Sequence, residues 1–190
     1  MAKKKKRKVN TLSTVQGYAV LIILLIVPLV FSYFYFNGRV VIDIPEGCGW
    51  YATREWDLNY YDCAVGSNQY KVDQLWEKES PKDRQDEQGF QKLYGRYLIA
   101  CTQTFGEVGD KIDFLMSDGT VLKCIIYDSK SQKKTFYDQN PADKWGHHNG
   151  AVVLEFVGTA ALESNPYKNL GLQKEHTVRA IRYNNILKDK

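Results

Sequence analysis

KIDFLMSDGTVLKCIIY, residues Lys111–Tyr127, is the stretch on which the fold turns. Polar and apolar side chains alternate from Lys111 to Met116, the period of a strand with one face buried. Ser117, Asp118 and Gly119 interrupt the alternation, and Asp-Gly adopts positive φ cheaply in a hairpin turn. Val121 to Tyr127 then returns as the partner strand. The stretch predicts an antiparallel hairpin.

Working outward, the texture stays strand-like. Tyr97–Cys101 is a short apolar run, and Gly106 and Gly109 bracket a turn. After the hairpin comes a long polar loop, Asp128 to Asn149. Gly150–Val157 (GAVVLEFV) reads as a strand. Tyr167 to Leu172 reads as a turn or one helical turn, and His176–Tyr183 (HTVRAIRY) alternates like a closing strand. Short strands with glycine turns and few helical patterns predict a small β-barrel over residues 90–190.

Upstream, VDQLWEK within Val72–Arg84 predicts a short helix, broken at Ser80-Pro81. Gly49–Asp62 is aromatic, with Trp50, Tyr51, Trp56, Tyr60 and Tyr61. Two readings fit it, a surface lying on lipid headgroups and the packing of a small subdomain. The second is preferred, because large aromatics supply much buried area to small cores. Residues 37–89 are therefore taken as a stalk, opened by the strand-like RVVIDI, and an aromatic and charged extension.

At the amino end, GYAVLIILLIVPLVFSYFYF (residues 17–36) has no charged residue. At about 1.5 Å per residue it would reach about 30 Å as a helix, one bilayer core, which predicts a single transmembrane anchor. Lys3, Lys4, Lys5, Lys6, Arg7 and Lys8 precede it, and only Arg39 follows closely. Positive charge stays inside, so residues 1–16 are expected as a cytoplasmic tail and the rest as extracellular. A cleaved signal peptide has a shorter apolar core. The basic run also fits a nuclear import signal, but the apolar stretch beside it favours a lipid-facing role. The expected partner is the lipid bilayer, through residues 17–36.

Of the 26 basic residues six lie in this tail, while all 22 acidic residues follow it, so the remainder carries −2. That excludes a nucleic-acid partner. Cys48, Cys63, Cys101 and Cys124 all fall in the part expected outside. An even count in an oxidising compartment predicts two disulfides, and proximity favours Cys48–Cys63 and Cys101–Cys124; buried thiols are the alternative. The spacing of cysteines and histidines predicts no metal site, and no phosphate-cradling loop or other cofactor motif occurs.

GRYLIA, GEVGDKIDF, SDGTVLKCIIYD and HNGAVVLEF occur in that order between Gly95 and Phe156. This succession resembles the double-psi β-barrel domains of bacterial cell-envelope proteins. The nearest group is the three-aspartate (3D) domain, with the catalytic domain of lytic transglycosylase A a more distant cousin. In that family one strand ends in an aspartate and a later strand carries another. The matching positions are Asp128 and Glu155, and Val108–Ile112 matches the family's turn and strand. The chain departs from the pattern in having Ser129-Lys130 after Asp128 and a glutamate at 155. The resemblance implies a six-stranded double-psi-like barrel and action on peptidoglycan.

Glycan cleavage needs a carboxyl group that is protonated when the glycosidic oxygen leaves, and water attack needs a second carboxylate. Asp128, where a strand leaves the core, is the candidate acid/base, and its other reading is a turn residue. Lys130 beside it opposes the raised pKa an acid needs. Glu155 and Asp113 are candidates for the second carboxylate, although alternation alone sets Glu155 on a solvent face. His148, in KWGHHNG, is a candidate proton relay, Trp145 a sugar-stacking platform and Asp113 a substrate contact. The expected molecule is mainly β. A single transmembrane helix precedes an aromatic-rich extension and a barrel in the bacterial envelope. Its function is cleavage of peptidoglycan glycan or, on the same barrel, non-catalytic binding.

Overall fold

The computed structural model describes residues 17–20, 22–29, 38–48, 56–58, 63–130, 144–146, 154–158, 170–171 and 175–188. The chain divides into two compact units, Met1–Gly38 and Arg39–Lys190.

In the first unit, residues 17–20 and 22–29 are helical. Among the described residues no helix is long and apolar enough to cross a membrane, which corrects the expected transmembrane span over residues 17–36. Pro28, near the end of the described helical residues, has no amide hydrogen and crowds the carbonyl of Leu24.

The second unit is built on one mixed sheet. Its strands are β1 (Val40–Asp43), β2 (Trp56–Leu58), β3 (Lys92–Leu93), β4 (Arg96–Thr102), β5 (Asp110–Met116), β6 (Val121–Lys130), β7 (Leu154–Gly158) and β8 (Thr177–Asn185). One helix, α1 (Asn68–Trp76), lies between β2 and β3. The order is β1-β8-β5-β6-β4-β7-β2, with β3 on β4. β4–β6 and β2–β7 are parallel, and the other pairs are antiparallel. This corrects the expected six-stranded double-psi-like barrel. The sheet has eight strands, and its order ends at β1 and β2 without a closing pair among the described residues. Both end strands come from the stretch expected as an extension. β1 pairs with β8 and β2 with β7, because short β-branched and aromatic runs find backbone partners more readily on an existing sheet than in isolation.

The hairpin forms as its alternation dictates. Along β5, Ile112, Phe114 and Met116 are buried, while Lys111, Asp113 and Leu115 are half-buried. Gly119 holds φ at +88°, and the Asp118 carboxylate accepts from the Thr120 amide and hydroxyl, which closes the turn. β4 is buried on both faces, and its alternation separates two apolar layers. Ile99 and Cys101 face the layer of Phe105, Phe114, Ile126 and Phe156. Leu98 faces the layer of Val72, Tyr127 and Val157. The second layer lies under α1, which Ser67 caps by accepting from the Tyr70 amide at 3.1 Å.

No disulfide joins any of the four cysteines, which corrects both expected pairs. Cys101 and Cys124 share one apolar layer, but Cys124 is opposite Tyr97 while Cys101 is opposite Ser129. Four residues of strand separate them, about 13 Å, beyond the reach of a disulfide. Cys63 is instead hydrogen-bonded to the Tyr127 hydroxyl.

Candidate functional site

The register of three strands brings two of the sequence-predicted residues together. Ala100 on β4 is opposite Asp128 on β6 and opposite Glu155 on β7. The β4–β6 pairing shifts between Ile99 and Ala100, so Ile126 faces Ile99 while Asp128 faces Ala100, and Tyr127 is the extra residue. Without the shift, strict alternation would send Asp128 to the layer of Cys124 and Ile126. The bulge re-aims it to the layer beneath α1. Asp128 is half-buried there, and Glu155 is 6% exposed. Period two along β4 and β7 puts Ala100 on the face of Leu98 and Glu155 on the face of Val157, both in the second layer. Glu155 therefore points away from the solvent that sequence alternation assigned to it, because α1 and neighbouring elements cover that face.

Three further groups converge on the same layer: Tyr127 and Asp73, which the sequence did not single out, and Cys63, which it marked only as a disulfide partner. The Tyr127 hydroxyl donates to Asp73 Oδ2 at 3.2 Å and lies 3.3 Å from Cys63 Sγ. Burial pushes the Asp73 carboxyl above its ordinary value, opposed by the hydrogen bonds from Tyr127 and Cys63. Burial also pushes the Cys63 thiol up, and the negative charges of Asp73 and Asp128 add to that effect. Tyr127 is raised too, first by burial and then by its acidic neighbours. A thiol whose pKa is raised by burial departs from the lowered value that marks a nucleophilic cysteine. The sequence signal was faint: a tyrosine closing an apolar run just before Asp128, with its partners more than fifty residues away.

The other predicted residues lie apart. Asp113 on β5 accepts from Arg96 Nη1 at 2.6 Å and from the Tyr183 hydroxyl at 2.8 Å, tying β5 to β4 and β8. Its partner on β6 is Lys123, five residues and about 16 Å along the strand from Asp128. Asp113 is thus committed to a cross-strand ion pair. Trp145 packs edge-on to Phe105 with centroids 6.3 Å apart and has the Lys144 ammonium 4.8 Å from its ring centre. Thr102 Oγ1 donates to the Lys144 carbonyl at 2.7 Å, which pins this segment to the end of β4. His148 lies outside the described residues, as does the rest of its loop from His147 to Gly150.

A cavity of about 490 Å³ opens elsewhere, where β1 ends and β8 begins, lined by Ile44, Pro45, Glu46, Gly47, His176, Thr177 and Val178. Among the described residues no three His, Cys, Asp or Glu side chains converge as a metal ligand set. The chemistry on offer near Ala100 is therefore that of two carboxyl groups on a partly enclosed face, beside a hydrogen-bonded thiol, phenol and third carboxyl. No protein-family model matches this chain, and no curated protein or solved structure is detectably similar to it.

Proposed function

We propose that this chain is an envelope-membrane protein that cleaves glycan of the peptidoglycan type by attack of water, with Asp128 as acid and Glu155 as base. The observation that carries the reading is the shared register partner, Ala100, between the two carboxylates. Two interstrand steps of about 4.8 Å set their Cα atoms about 9.6 Å apart. Inverting glycosidases hold their two carboxyl groups about 6.5–9.5 Å apart to leave room for a water, a separation that side chains leaning toward each other from these Cα positions can reach. Ala100 between them has only a methyl side chain and is 1% exposed, so substrate would enter from the half-buried Asp128 side. In this scheme Asp128 gives its proton to the glycosidic oxygen, and Glu155 takes one from the attacking water. A two-carboxylate arrangement favours hydrolysis over the single-carboxyl transglycosylase chemistry that the family resemblance implied.

Attachment to the membrane is part of the same proposal. Nine apolar side chains between Tyr18 and Leu29 are each more than half exposed. Six cations precede them in the sequence. An apolar surface beside a lysine run favours bilayers with anionic headgroups. The full chain should cosediment with anionic vesicles, and replacing Lys3–Lys8 by serine should weaken that binding.

Purified cell wall incubated with the detergent-solubilised full chain tests the chemistry. Release of soluble, newly reducing glycan fragments is expected, with loss of at least about a hundredfold in Asp128→Asn and in Glu155→Gln. No release, or equal release by both variants, would remove the hydrolase. The non-catalytic binding module is the second reading, favoured by one observation: the 490 Å³ cavity is lined by neither carboxylate. Cosedimentation with cell wall that survives Asp128→Asn, without fragment release, would select it.

A further inference from the structure

The outer strand of the sheet carries a pattern that its own copy would satisfy. β1 is the last strand on its side of the sheet and pairs only with β8 among the described residues. The Ile44 amide donates to the Val178 carbonyl at 3.2 Å. Antiparallel strands alternate, so Val40, Ile42 and Ile44 turn their backbone groups toward β8, while Val41 and Asp43 turn theirs outward. Sheets usually blunt such an edge with a proline, an inward charge or a bulge. β1 has no proline, inward charge or bulge within Val40–Asp43, although it is only four residues long and carries the exposed Asp43, and the register with β8 runs through all four residues without a shift. Val40 and Val41 are instead 44% and 56% exposed.

We infer that β1 is a self-association edge, pairing antiparallel with β1 of a second copy about a twofold axis at Val41. That register makes Val41 and its twin a hydrogen-bonded pair, as the outward backbone of Val41 requires. It sets Arg39 opposite Asp43 of the other copy, twice, by symmetry. Opposite charges directly across an antiparallel pair are stabilising, and like charges are not. A register slipped by two residues would set Asp43 against Val41 and bring Pro45, which has no amide, opposite Arg39. Asp43 already meets Arg179 at 2.6 Å, and that pair is exposed on both sides, so a second cation can join it at little cost. The occupant is a copy of this chain and not an unrelated peptide, because the strand's two charges complement each other end to end. The inference stands apart from the proposed hydrolase, since β1 and the Asp128–Glu155 face lie on different strands.

Sedimentation of the detergent-solubilised full chain across a concentration series tests it. A reversible monomer–dimer equilibrium is expected. Arg39→Asp and Asp43→Arg should each weaken it about tenfold or more, since each reversal places like charges together at both symmetric positions. The double variant Arg39→Asp/Asp43→Arg restores opposite charges and should return the dissociation constant to near that of the parent. Val41→Lys, at an exposed position that leaves the sheet interior untouched, should also favour monomer. A monomer at every concentration overturns the inference. So does a dimer indifferent to the single reversals, or a double variant that stays as weak as the singles.

Discussion

Two residues show how narrow the local tolerances are. Gly109 holds φ at +94°, and a Cβ there would sit 2.6 Å from Asn185 Oδ1 and 2.9 Å from Leu187 Cγ. Asn185 cannot retreat, because its amide donates to the Val108 carbonyl and to Asp110 Oδ1, and its oxygen accepts from the Leu187 amide. Gly109→Ala should therefore lower stability by about 1–3 kcal/mol, read as the urea midpoint. An unchanged midpoint would show that the lock between the start of β5 and the end of β8 is loose. Asp73 makes a pH prediction. Burial raises its folded pKa above the ordinary 3.8, so between that value and the raised one the native state holds more protons than the unfolded state. Stability then falls as pH rises through the window. Asp73→Asn keeps the bond from Tyr127 and removes the titration, so stability of the parent relative to the variant should decline across that window. A difference flat with pH would contradict the raised pKa of this half-buried carboxyl.

At the level of elements, the decisive device is the irregularity in β6. One extra residue at Tyr127 turns Asp128 from one apolar layer to the other and sets it level with Glu155. Helix α1 lids that layer with few anchors: Val72 is buried, and Leu75 and Trp76 are partly so. Its start depends on Ser67, whose hydroxyl satisfies one of the first-turn amides. Ser67→Ala should cost about 1 kcal/mol in the urea midpoint. Hydrogen exchange should quicken along 68–76 while the β5–β6 hairpin keeps its protection. Equal quickening in both elements would mean that α1 and the sheet open as one unit.

For the whole molecule, the layers set how the thiols behave. Cys101 and Cys124 are buried, and burial pushes the Cys124 thiol far up, while Cys48 and Cys63 are partly exposed. Intact mass without reductant should show all four sites alkylated by iodoacetamide after denaturation. In the native protein Cys48 should react first, and Cys101 and Cys124 only at the rate of unfolding. Two unreactive pairs in the denatured chain would restore the disulfides. Sequence by itself determined the β5–β6 hairpin, the central apolar run of β4 and the helix near Val72, since each is written within a few residues as alternation, an Asp-Gly turn or a broken helical stretch. It marked Asp128 and Glu155 as candidates but set Glu155 toward solvent and looked for sulfur pairs among neighbours in the chain. Only tertiary structure decided the strand order, the bulge that aligns the two carboxylates, the commitment of Asp113 to Arg96 and Tyr183, and the separation of Cys101 from Cys124. Those outcomes rest on pairings between residues far apart in the chain, where register is set by packing of whole faces, and no local pattern encodes them.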